Sequence, residues 1–190
     1  MTKPLLIIVN GLPGTGKTTL ARYLAEELRL PSLHKDELKE MLFDTLGWSD
    51  RAWSRKLGIA TYALLFSFIE TQLKAGKSFI AESNFSPNYH TQKFLELKEL
   101  YDFEPFQIQC VTQGDVLFQR FLERAMSKER HPGHVEQQNI DEFKPLLLRG
   151  RDTPLDIGGA LLELNTTNFA TVNYTKILAA IHNFYALPDC

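Results

Sequence analysis

The chain has 190 residues, 44% of them hydrophobic, and a net charge of −2. Such a length fits one globular domain spanning residues 1–190, large enough for a real core. The near-neutral charge lacks the basic footprint of most nucleic-acid binders, so a nucleic-acid partner is not favoured. No apolar stretch reaches spanning length, so no membrane partner is expected.

Residues 5–9 form an aliphatic run of strand length, too short for a signal-peptide core. It leads into Gly11-Leu12-Pro13-Gly14-Thr15-Gly16-Lys17-Thr18, which fits the phosphate-loop pattern G-x-x-x-x-G-K-[ST]. Thr19 follows, and residues 18–30 have helical spacing through Leu20, Leu24 and Leu28. A strand, a glycine loop and a helix start are the context the motif needs. Backbone N–H groups must wrap a polyphosphate, so side chains are in the way and glycine is favoured. The helix N-terminus adds free N–H groups and a positive dipole end. Lys17 supplies a point charge between the β- and γ-phosphates, and the Thr18 hydroxyl a ligand for Mg²⁺.

Further along, residues 31–34 read as a short strand. A helix opens near Asp36 with Leu38, Met41, Leu42 and Leu46 apolar, and Gly47 stops it. Residues 53–74 continue as a long helix through Leu57, Leu64, Phe68 and Leu73. Residues 78–81 form a buried strand ending at Glu82-Ser83-Asn84, and Ser86-Pro87 starts another helix. Residues 105–111 are a strand and 115–127 a helix. Residues 128–134 are a polar break, and 136–148 are partly helical. Residues 160–164 are a last strand and 174–185 a closing helix. Strands alternating with helices imply a mainly parallel sheet, with ligands beyond the carboxyl ends of its strands. Cys110 lies in an apolar run and is expected buried; Cys190 is expected exposed. They lack metal spacing and suggest a reducing, cytoplasmic setting.

Several residues at those strand ends carry candidate chemistry. Asp36 is either a helix N-cap or the carboxylate that orients an attacking hydroxyl. Glu82 could hold Mg²⁺ through water, or be an ordinary strand-end residue. Arg120 and Arg124 share a helical face and Arg130 follows; an arginine on a transferring phosphoryl group is worth roughly 10³ to 10⁵ in rate. Surface pairing is the alternative. His131-Pro132-Gly133-His134 reads as a hinged loop without zinc spacing. Asn165 and Thr166 could line the adenine or cap a turn. Phe85 could touch an acceptor or belong to the core. Trp48, Trp53 and Tyr62 could pack on an acceptor ring, though at this spacing each is more often core. No N-K-x-D segment is present, which favours ATP over GTP.

The stretch Gly11 to Thr19 resembles the loop of nucleotide kinases and related small-molecule kinases. Together with His34-Lys35-Asp36-Glu37-Leu38, Glu82-Ser83-Asn84-Phe85, the Arg120/Arg124 pair and Arg130 to His134, it is similar to one AAA_33-like group. That group contains chloramphenicol phosphotransferase-like kinases, zeta-toxin-like kinases and the kinase domain of polynucleotide kinase. The resemblance covers residues 5 to about 168; only the loop is highly specific. It implies an α/β P-loop NTPase fold of three α/β/α layers, with a central parallel sheet in the order 2-3-1-4-5. It also implies a helical lid within about residues 120–145, and a hydroxyl-activating role for the aspartate matching Asp36. The function expected is transfer of the γ-phosphate of ATP, with Mg²⁺, to a hydroxyl of a small-molecule acceptor. A polynucleotide 5′-hydroxyl kinase and a nucleotide-dependent binding module are the alternatives. The group's acceptors are diverse, so the resemblance leaves the acceptor open.

Overall fold

Leu5 to Val9 has no polar residue because it forms a strand covered on both faces, as central strands of parallel sheets are. In a computed structural model, which describes residues 3–186, this strand is β1 (Leu5–Gly11). It pairs in parallel with β3 (Phe79–Ser83) on one side and β4 (Glu104–Val111) on the other. β2 (Ser32–His34) and β5 (Ala160–Asn165) complete the sheet in the order β2-β3-β1-β4-β5. This is the order that the kinase resemblance implies. Cys110 in β4 is fully buried, and Cys190 lies outside the described residues.

Among the described residues, seven α-helices connect and flank the strands: α1 (Lys17–Leu28), α2 (Lys35–Leu46), α3 (Arg51–Lys74), α4 (Pro87–Tyr101), α5 (Gly114–Met126), α6 (Ile140–Leu148) and α7 (Tyr174–Phe184). Strand alternation sorts side chains onto two cores. Leu6, Ile8, Phe79 and Ala81 pack with residues of α3 and α4. Leu5, Ile7, Val9 and Ile80 pack with α1 and α7. Glu82 lies two residues beyond Ile80, so it projects from the α1 face of the sheet; a one-residue slip would turn it away. Gln107 and Gln109 of β4 are buried polar residues with a structural use. Gln107 exchanges hydrogen bonds with the backbone of Leu155, and Gln109 Nε2 donates to the Asp152 carbonyl, so both tether the segment before β5.

Two expectations need correction. The buried face of α3 is Leu57, Thr61, Leu65, Ile69 and Leu73, a stripe with a step of four; Leu64 and Phe68 face outward. The short polar Thr61 is part of that stripe because its hydroxyl donates back to the Leu57 carbonyl at 2.7 Å, so it is invisible to an apolar count. In α2, Lys39 and Phe43 are the buried residues, whereas Met41 and Leu46 are exposed. Glu82 and Ser83 close β3, at the strand end where the sequence places them.

Phe85 is fully buried beside the rings of Phe66, His90 and Phe94, so it is core. Phe85→Ala would leave a cavity between α3 and α4. Destabilisation of about 3–5 kcal/mol is expected, measured as a lower urea midpoint with an unchanged slope.

Candidate active site

The glycine loop joins β1 to α1 at the carboxyl edge of the sheet. Gly11, Gly14 and Gly16 all have positive φ, at 152°, 89° and 80°. Gly16 has a second constraint: a Cβ there would come within 2.5 Å of the Phe169 ring. The turn is closed by Thr15, whose Oγ1 donates to the Leu12 carbonyl at 2.8 Å. Lys17 Nζ lies 3.4 Å from the same carbonyl, so its ammonium curls back over the loop. Leu12 is packed on Leu117, Phe121 and Leu147, which fixes the loop against α5 and α6.

Glu82 ties three elements together. Its Oε2 accepts from Thr18 Oγ1 at 3.1 Å and lies 3.3 Å from His34 Nδ1; its Oε1 is 3.7 Å from Lys17 Nζ. The carboxylate is almost fully buried, so these partners keep it from being an isolated buried charge. Thr18 and Glu82 thus bring a hydroxyl and a carboxylate together, both hard oxygen donors of the kind Mg²⁺ prefers. Among the described residues no cluster of three or more His, Cys, Asp or Glu could hold a metal. Mg²⁺ bound here would draw its other ligands from phosphate and water, its usual habit.

Asp36 is the second residue of α2, not its cap; His34 takes the cap position with extended backbone and no side-chain bond. The cap explanation therefore fails. The Asp36 carboxylate instead receives Lys35 Nζ at 3.1 Å and Arg130 Nη2 at 3.0 Å. Burial opposes its ionisation, but Lys35, Arg130, His134 and Lys17 outweigh burial and hold its carboxyl well below the usual carboxylate range. Arg130 also binds Glu136 through Nε at 3.1 Å and Nη2 at 2.6 Å, and Glu40 through Nη1 at 3.3 Å. Arg124 Nη2 donates to the same Glu136 at 2.9 Å, while its buried Nε–H has no partner. The segment carrying Arg130 is docked, not a plain surface turn. His131 stacks on Phe43 of α2 and its Nε2 meets Asp44; His134 Nε2 meets Glu40 at 2.8 Å.

Arg120 is placed differently from the other two arginines. Its Nη1 and Nη2 donate to the carbonyls of Thr166 and Thr167, both at 2.8 Å, and the guanidinium lies 3.8 Å over the Phe169 ring. Thr166 is buried, with its hydroxyl on Thr112 and on the Val111 carbonyl. Asn165 caps a turn, its Oδ1 accepting from Thr167 N–H at 2.9 Å, and also borders a polar pocket with Gln113 and Arg149.

Two cavities result. One is lined by Gly14, Gly16, Thr18, Thr19, Arg120 and Phe169. The other, of ≈ 140 Å³, is lined by Pro13, Asp36, Lys39, Glu82 and Asn84. Lys17, Arg124 and Arg130 line both, so the two spaces meet at three cations. Trp48, Trp53 and Tyr62 do not line the cavity containing Asp36. Trp53 Nε1 binds the Gly47 carbonyl instead, and Tyr62 lies on His90 and bonds Ser83 and Asn84. Lys39, Arg51, Glu136 and Phe169 enter the site without a sequence motif. Lys39 falls at helical spacing one turn from Lys35, which is the only local signal it has.

The AAA domain family matches residues 6–147. A crystal structure of a candidate kinase from Chloroflexus aurantiacus is 42% identical, covering 97% of this chain and 100% of that one, with a TM-score of 0.92. Two more distant likenesses show the fold alone. A sugar kinase from a Janibacter species is 13% identical over 98% of this chain and 96% of its own, with a TM-score of 0.57. The Pnkp1/Rnl/Hen1 RNA repair complex contains a chain 18% identical over 83% of this chain and 50% of its own, with a TM-score of 0.53. No curated protein matches the sequence. No described helix is long and apolar enough to cross a membrane. The match across most of its length places this chain in the AAA domain family (AAA_33), the group of small P-loop kinases that its motifs resemble.

Proposed function

We propose that the protein transfers the γ-phosphate of ATP to a hydroxyl of a small-molecule acceptor. The observation that carries this reading is the meeting of the two cavities at Lys17, Arg124 and Arg130, with Asp36 on one side only. A phosphoryl group in transit spreads charge over its equatorial oxygens, and a junction of cations suits it. The nucleotide phosphates would lie in the loop from Gly11 to Thr19, with Arg120, Asn165 and Thr166 toward the base. Thr18 and, through water, Glu82 would hold Mg²⁺, which would supply charge neutralisation for the phosphates.

Asp36 then accepts the hydroxyl proton or orients the hydroxyl. Its depressed proton affinity makes it a weak base, which suffices where bond breaking to the leaving group runs ahead of attack. Before it can serve, Arg130 must swing from Asp36 toward the phosphates, so residues 120–145 would act as a lid. Closure also matters because an open site would let water take the phosphate. The acceptor cavity, at ≈ 140 Å³, is smaller than most ligand pockets of about 300–1,000 Å³, which favours a small acceptor over a polynucleotide end. ATP supply fits a cytoplasmic location.

ADP release from Mg·ATP across a panel of polyols, sugars, hydroxy acids, nucleosides, phenicols and 5′-hydroxyl oligonucleotides tests the reading. Stimulation by one class is expected. Lys17→Ala should abolish transfer. Asp36→Asn should lower kcat by about two orders of magnitude or more with the Kd for ATP little changed. Turnover near wild type in Asp36→Asn would remove Asp36 from the chemistry. Acceptor-independent hydrolysis alone, equal in both proteins, would favour a binding module.

A further inference from the structure

The cavity over Asp36 is lined by six cations and only three carboxylates. Three of the cations, Lys17, Arg124 and Arg130, also line the nucleotide cavity and are accounted for by the transferring phosphate. The other three, Lys35, Lys39 and Arg51, line the acceptor side alone. Two of these have acids of their own. Lys35 is on Asp36, and Arg51 forms a two-pronged pair with Glu142, at 2.9 and 2.6 Å.

Lys39 is different. It is only 5% exposed, and its one hydrogen-bond partner among the described residues is Ser54 Oγ at 2.9 Å. Its Nζ lies 5.2 Å from the centre of the Phe43 ring and close over Gly58. An ammonium has three donors, and a hydroxyl satisfies one. Burial, with the charges of Lys35, Arg51 and Arg130 acting against Asp36, lowers its pKa from 10.5 to about 7. Packing alone does not require a charge between a phenylalanine ring and a glycine; methionine would fill the same space. An anion beside Lys39 would supply the missing acceptors and restore its full charge.

We infer that the phosphoryl acceptor is itself an anion, a small hydroxy acid or hydroxyl-bearing phosphate ester whose charged group lies against Lys39, with Lys35 and Arg51 beside it. The inference rests on the kinase reading for the word acceptor, and on the cation surplus for the word anion. The carboxylate or phosphate would anchor one end of the molecule and leave the hydroxyl over Asp36. Part of the binding energy thus goes to orientation at the reacting centre.

The test uses matched series: three- to six-carbon polyols, the corresponding aldonic acids, and the corresponding monophosphates, each assayed for ADP release with Mg·ATP. One anionic series should exceed its neutral counterparts by about tenfold or more in kcat/KM; which series responds separates carboxylate from phosphate. Lys39→Met should raise KM for that acceptor by about tenfold and change kcat less. Preference for neutral polyols would overturn the inference and leave the kinase standing. A second arm does not need turnover. With ADP and Mg²⁺ filling the phosphate loop, inorganic phosphate and malonate are titrated by calorimetry into wild type, Lys39→Met and, as a second variant, Lys39→Gln. Tighter binding to wild type than to both variants supports the anion site even if no acceptor stimulates ADP release. Equal binding to all three refutes it. Failure of every acceptor series, with the anion site intact, counts against the kinase reading alone.

Discussion

A carboxylate buried at the end of a central strand cannot stay charged without partners, and the arrangement around Glu82 follows from that constraint. Its partners come from two elements: Lys17 and Thr18 from the start of α1, and His34 from the end of β2. The register of β3 against β1, with Glu82 beside Val9, places it within reach of all of them. The same alternation that buries Ile80 against α1 aims Glu82 at the loop. The phosphate loop is therefore held from below by a charge as well as by its own glycine turns, and the strand packing cannot shift without loosening it.

Above the sheet a second set of charges is balanced less completely. Glu136 holds Arg124 and Arg130 together, and Arg130 in turn covers Asp36. Without Glu136, Asp36 and Glu40, the two guanidinium groups would lie side by side with no counter-charge. With them, the arginines are held near the place where a phosphoryl group would develop charge, and Arg130 would reach it by exchanging Asp36 for that group. This network links α2, α5 and the segment before α6. It is weaker than a packed core because part of it is open to water, which suits residues that must exchange partners.

Much of the fold was legible because it is written in local patterns. An unbroken aliphatic run marks β1, a short apolar run marks β3 and alternating apolar residues mark β4, and the glycine loop has only one structural context. The helices were harder to orient. In α3 the inward stripe includes Thr61, and in α2 it includes Lys39, so counts of apolar residues selected the wrong faces. Gln107 and Gln109 read as interruptions in a strand, yet both are buried and bonded to the backbone of a distant segment. Polar groups are buried where a partner exists, and the partner is far away in the chain.

The sequence by itself determined that a strand, a glycine loop and a helix create an anion site, because those requirements lie within eight consecutive residues, Gly11 to Thr18. It also marked Asp36, Glu82 and the three arginines as candidates, since each follows or ends a strand on the ligand side, lies on the next helix or, for Arg130, follows that helix. The tertiary structure alone decided how they combine. It showed that Asp36 is no cap, that Arg120 turns to Thr166 and Phe169 while Arg124 and Arg130 share Glu136, and that Lys39 is buried beside the cavity containing Asp36. The physical reason is distance along the chain. Arg130 meets Asp36 across 94 positions, and Thr18 meets Glu82 across 64. Electrostatic partners so far apart leave no periodicity or spacing to read, and only the assembled fold brings them within hydrogen-bond reach.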